Sequence, residues 1–131
     1  MTIRTTARLL LVVMIVCVAA GDRVIADTPE TVIITLHAKA GASAELEKVI
    51  AKHWEAAVRL NLVVAAPHLT IRGDEGGNQV FLMEVLTWRD ASVPDHAPPE
   101  IQAIWAEMNH LVEPRLSRPG LTIDQVSVIA R

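Results

Sequence analysis

The chain has 131 residues, is 51% apolar and 21% charged, and carries a formal charge of −3 at pH 7. That length holds one domain and little else, and an acidic balance without a basic stripe excludes a typical nucleic-acid binder. A single cysteine, Cys17, excludes a disulfide framework.

Residues 1–26 read as a secretory signal peptide. Arg4 and Arg8 precede an unbroken apolar run, Leu9 to Ala20, and Val24-Ile25-Ala26 supplies modest residues for cleavage after Ala26. The run is short for a membrane span, which needs about 20 apolar residues. An uncleaved anchor is the alternative, and membrane contact is expected only through this segment. Loss of Arg4, Arg8, Asp22 and Arg23 leaves the mature domain, residues 27–131, with a charge of −5. Cys17 departs as well, so the domain has no thiolate nucleophile and no cysteine-ligated metal.

Thr31 to Lys39 is β-branched and predicts a strand, with Val32, Ile34, Leu36 and Ala38 on one face and Ile33, Thr35 and His37 on the other. Ala40-Gly41-Ala42 breaks it, and Ser43 is the expected N-cap of a helix from Ala44 to about Leu60. Leu46, Val49, Ile50, His53, Ala57 and Leu60 recur there at helical spacing. His68 to Arg72 alternates as a strand. Gly73 to Asn78 is a turn, so this strand and the next, Gln79 to Trp88, form a hairpin. Val80, Leu82, Glu84, Leu86 and Trp88 share one face of the second strand; Phe81, Met83, Val85 and Thr87 share the other. Arg89 to Pro99 is a loop. Pro99 opens a second helix with an apolar stripe of Ile101, Ile104, Trp105, Met108, Leu111 and Val112, ending before Pro114. Leu121 to Ala130 is the last strand, with a parity slip near Asp124-Gln125 that suggests a bulge.

Strand, helix, strand, strand, helix, strand is the split βαβ, ferredoxin-like order. The fold class is α+β: a four-stranded antiparallel sheet with two helices on one face. The face carrying Val80, Leu82, Leu86 and Trp88 is then expected to lie uncovered. So large an apolar patch predicts a homodimer that encloses a shared core, an α/β barrel.

In these features the chain resembles the dimeric α/β-barrel superfamily, and within it the antibiotic biosynthesis monooxygenase-like domains. The resemblance spans roughly Thr31 to Ile129. It rests on the first strand followed by Ala-Gly and a helix, the hairpin, "MEVLTWRD" with Glu84, Trp88 and Asp90, and His96 shortly before the second helix. It implies a dimeric barrel and, for some members, oxygenation without a cofactor. Haem-degrading members have a tryptophan at a position similar to Trp88, but pair it with an asparagine on the first strand and a histidine in the second helix. This chain offers His37 and Trp105 there, which argues against haem degradation.

Glu84 is the leading candidate for chemistry. A carboxylate on a buried strand face must be paired, hydrogen-bonded or protonated, and could act as a general base; alternatively it binds Arg72, Arg89 or a loop backbone group. His37 and His96 are the other catalytic candidates, His96 as an acid/base at a pocket mouth or as a helix cap. Trp88, Leu82, Leu86 and Trp105 are candidate ligand-binding residues for a small apolar or aromatic molecule. His53 and Trp54 are assigned to packing and surface. No cofactor and no metal are expected, since phosphate-loop, dinucleotide and local metal-ligand motifs are absent; a long-range His37, His68 and Glu84 set is the weak exception. Two functions follow: an exported dimer that binds a small hydrophobic molecule, with monooxygenase activity as its enzymatic form, or a non-catalytic binding or structural dimer. A vacant cavity lined by Glu84, His37 and Trp88 favours the first; a space filled by Trp88, Leu82 and Leu86 favours the second.

Overall fold

The computed structural model describes residues 28–129. The expected signal peptide and cleavage site, Cys17 and Ala130 lie outside the described residues. The element order is β1 (Glu30–His37), α1 (Ser43–Arg59), β2 (Leu69–Gly76), β3 (Gln79–Trp88), a short 3-10 helix (Val93–His96), α2 (Pro99–Leu111) and β4 (Leu121–Gln125). The strands form one antiparallel sheet in the order β2-β3-β1-β4. This is the ferredoxin-like α+β fold anticipated from the order of elements.

Boundaries differ from expectation for local reasons. Gly41 adopts φ +77, and the turn it makes lets the Ala42 carbonyl accept the first helical bond, from Leu46 N–H at 2.9 Å. Ala42 is therefore the N-cap rather than Ser43, and no side chain caps the helix. β2 begins after His68 and runs through most of the expected turn, because Gly73 pairs with Phe81 and Asp74 with Val80. Gly73 accommodates the Phe81 ring, which occupies the space a Cβ would take. The register irregularity falls between Asp74 and Gly76, not at Asp124-Gln125, where pairing to β1 is continuous. β4 ends at Gln125, short of the expected Ala130. At the far end of α2, Val112 is already extended, in keeping with the proline two residues on.

Both helices lie on the face of the sheet that carries Val32, Ile34, Leu36, Leu82, Leu86 and Trp88. These side chains are buried with Leu46, Val49 and Ile50 of α1 and Ile101, Ile104 and Met108 of α2. That corrects the expected orientation: Leu82, Leu86 and Trp88 are covered within one chain and do not await a partner. Side-chain alternation separates the two faces but does not say which one the helices cover.

The opposite face is the open one. Across it, Leu69, Val85 and Ile33 form one row, and Ile71, Met83 and Thr35 the next. Leu69 is 55% and Ile71 45% exposed, and Val85, Ile33 and Met83 are half-buried. β4 contributes Asp124 and Thr122 to these rows, so the apolar patch occupies the β2–β3–β1 side of the sheet.

Candidate functional site

Glu84 sits in the middle of β3 opposite Ile34 and Thr70, on the helix-covered face. It is fully buried, as is His53, which the apolar stripe of α1 carries inward to meet it. His53 Nδ1 lies 2.9 Å from Glu84 Oε2. On the other side of the imidazole, the Trp105 indole N–H of α2 donates to His53 Nε2 at 3.1 Å. An indole nitrogen can only donate, so Nε2 presents its lone pair. The single hydrogen of a neutral ring then belongs to Nδ1, where Glu84 accepts it. Three elements, α2, α1 and β3, thus meet through one polar chain inside the core.

His68, at the entrance to β2, approaches the second carboxylate oxygen. Its Nε2 stands 3.4 Å from Glu84 Oε1, and the two atoms are buried without a hydrogen-bond partner. The His68 ring stacks on Trp54 of α1, with centroids 3.6 Å apart and planes within 5°. Both line a cleft of about 480 Å³ between α1 and the β2–β3 edge, with Glu47, Arg72 and Leu82 among its walls.

A second pocket, of about 400 Å³, lies on the other side of Trp105. Val32 and Ile34 of β1, Leu121 and Ile123 of β4, Trp88, and Trp105 and Met108 of α2 line it; Glu30, Asp95 and Asn109 are among its polar margins. Its volume falls within the usual range for small-molecule sites, roughly 300–1,000 Å³. Trp88 and Trp105 meet edge to face at 6.3 Å, and Trp88 also packs edge-on against His53 at 5.9 Å. Two indoles therefore form the wall between an apolar pocket and the buried His53–Glu84 pair.

The sequence candidates are distributed unevenly over this arrangement. Trp88 and Trp105 line the apolar pocket, while Leu82 and Leu86 are core residues and neither lines it. Glu84 is enclosed behind the indoles. The expectation that Glu84 binds Arg72 or Arg89 is overturned: Arg72 pairs with Glu47, and Arg89 donates to the Asn61 and Val63 carbonyls. His37 is three residues from Ile34 on β1, so its side chain leaves the opposite face from Glu84 and cannot share a cavity with it. It pairs instead with Glu75, which Arg115 also holds. His96 is exposed at the end of the 3-10 helix and does not line the pocket. Among the described residues no group of three or more His, Cys, Asp or Glu is placed to hold a metal ion.

His53 is the residue that sequence reasoning set aside. Its signal was present: it recurs with Leu46, Ile50 and Ala57 on the buried stripe of α1. A polar group on a buried helix face and another on a buried strand face each need a partner, and the two find each other.

No protein-family model matches the sequence, and no curated protein matches it. Solved structures do. A mutant of SnoaB, a cofactor-independent oxygenase from Streptomyces nogalater, superposes with a TM-score of 0.58 at 14% identity, over 79% of this chain and 95% of that one. Rv0793 from Mycobacterium tuberculosis gives 0.57 at 16% identity, over 79% and 98%. A dimeric ferredoxin-like protein of unknown function from Jannaschia sp. CCS1 gives 0.54 at 17%, over 77% and 100%. Identities this low establish a shared architecture: the chain has the ferredoxin-like fold of the antibiotic biosynthesis monooxygenase-like proteins.

Proposed function

We propose that the protein is an exported homodimer that binds a small, flat, hydrophobic or aromatic molecule in the Trp88–Trp105 pocket. The observation that carries this reading is the pocket itself: Leu82 and Leu86 fill the core, yet about 400 Å³ of apolar space remains beside two indoles. Cofactor-free oxygenation is the reaction class to test first, because the similarly folded SnoaB is a cofactor-independent oxygenase. Such chemistry needs a substrate carbon with an acidic C–H. That carbon must carry two hydrogens: a base takes one as a proton, the carbanion adds to dioxygen, the peroxide anion takes the proton back, and the hydroperoxide loses water together with the second hydrogen to leave a carbonyl; dioxygen supplies all the oxidising equivalents. A dry, apolar pocket keeps the carbanion from solvent protons.

Dimerisation follows from the open face rather than from Leu82, Leu86 and Trp88. Leu69, Ile71, Met83, Val85 and Ile33 form a contiguous apolar surface that face-to-face pairing of two sheets would cover. Export rests on residues 1–26.

Tryptophan fluorescence titrated with 1-naphthol tests the pocket, since two of the chain's three tryptophans line it. Saturable quenching is expected. Ile123→Trp, which puts an indole at the pocket rim, is expected to weaken it by about tenfold or more, ~1.4 kcal/mol. No saturable binding of 1-naphthol or of its parent arene naphthalene sinks the reading. Oxygen uptake with two- and three-ring phenols bearing an acidic C–H then tests the reaction class.

A further inference from the structure

We infer that Trp105 covers a histidine–carboxylate base, and that a pocket occupant which displaces the indole meets His53 Nε2. The inference rests on the pocket being the binding site proposed above, and it assigns the proton-accepting group to a residue outside the original candidates.

The arrangement has the parts of a general base held in reserve. Nε2 carries the free electron pair, and what fills it is a side chain from the pocket wall, Trp105, at 3.1 Å. Nδ1–H is held by Glu84 Oε2 at 2.9 Å. A carboxylate in that position fixes the tautomer and stabilises the imidazolium formed when Nε2 takes a proton. Burial points the same way. Both groups are fully buried, and a buried ionic or polar pair is no better for stability than two well-packed apolar side chains. Glu84 also has a second histidine beside it, His68, whose Nε2 faces Oε1 at 3.4 Å.

Trp105 is half-buried on α2, with the pocket on one side and His53 on the other. A phenol or acidic C–H compound that swings the indole aside places its own hydrogen where the indole N–H lay. The proton then moves to Nε2, a new N–H bond forms, and the electron pair of the broken bond stays on the substrate. Nδ1 keeps its hydrogen and goes on donating it to Glu84 Oε2, and no electrons enter the protein. Glu84 and His68 are positioning residues in this scheme, and His53 is the group that touches substrate.

Acylation of histidines by diethyl pyrocarbonate, mapped by peptide mass spectrometry, tests the cover without any ligand. In the native chain His53 should stay unmodified while the exposed His96 and His110 react. Trp105→Ala should bring His53 to within about tenfold of the His96 rate. Trp105→Ala should also bind 1-naphthol about tenfold more tightly than naphthalene, the worth of one hydrogen bond, and a second substitution, His53→Gln, should erase that preference. If Trp105→Ala fails to fold, nitrogen NMR of the native chain decides. Saturating 1-naphthol should shift the Trp105 indole N–H and His53 Nε2 resonances together, and naphthalene should not. His53 that stays inert in folded Trp105→Ala overturns the inference, as do native resonances unmoved by 1-naphthol that nevertheless quenches fluorescence. Absence of any quenching counts against the pocket instead, and leaves the acylation result to judge the cover.

Discussion

The sheet carries a histidine–glutamate pair on each face, and the two pairs live in different worlds. His53–Glu84, on the helix side, is sealed from solvent and hydrogen-bonded onward to Trp105. His37–Glu75, from the opposite face of β1 and the hairpin tip, has side chains 9% and 24% exposed and shares its carboxylate with Arg115. The residue types are the same, but water competes for one pair and not for the other. A pair that water still reaches in part contributes less than its geometry alone suggests. A buried pair is costly to break, because the surviving partner has nowhere else to turn. The difference separates His37 from His53 in a way that sequence does not: chemistry at a site follows the medium as much as the side chain.

Glu84→Ala should show the contrast at its largest. It orphans the His53 Nδ1–H, at about 1–3 kcal/mol, and leaves a cavity in the core, so urea unfolding should report a loss of about 3 kcal/mol or more. Glu84→Gln keeps an oxygen for His53 and should lose clearly less; equal losses would show that the hydrogen bond is not what matters. Met83→Glu probes the open face. Two copies brought together would oppose buried like charges, at a cost of several kcal/mol, so sedimentation should find monomers at micromolar concentration. Urea unfolding of that monomer should change by about 0.5 kcal/mol or less. A native chain that already sediments as a monomer removes the dimer from the proposal.

Trp105→Phe deletes one donor from the buried chain and should cost about 1–3 kcal/mol in the same unfolding measurement. Glu75→Gln should be the mildest, at about 1 kcal/mol or less. If Glu75→Gln destabilises as much as Glu84→Ala, the distinction between the two pairs fails.

The alternation of Val32, Ile34 and Leu36 against Ile33, Thr35 and His37, the helical recurrence of Leu46, Ile50 and His53, and the Gly-rich hairpin determined the elements, their order and hence the architecture. They also divided each strand into two faces. That is local information, set by backbone period and side-chain type. Which face the helices cover was a tertiary decision, because both faces are apolar enough to be buried and parity is blind to the choice. The tertiary structure alone also selected His53 and His68, out of five histidines, as the neighbours of Glu84. Those contacts join α1, the β2 entrance and β3 across separations of 31 residues or fewer, and α2 reaches His53 across 52. No spacing rule encodes such meetings; they arise when packed elements carry unsatisfied polar groups to the same buried point.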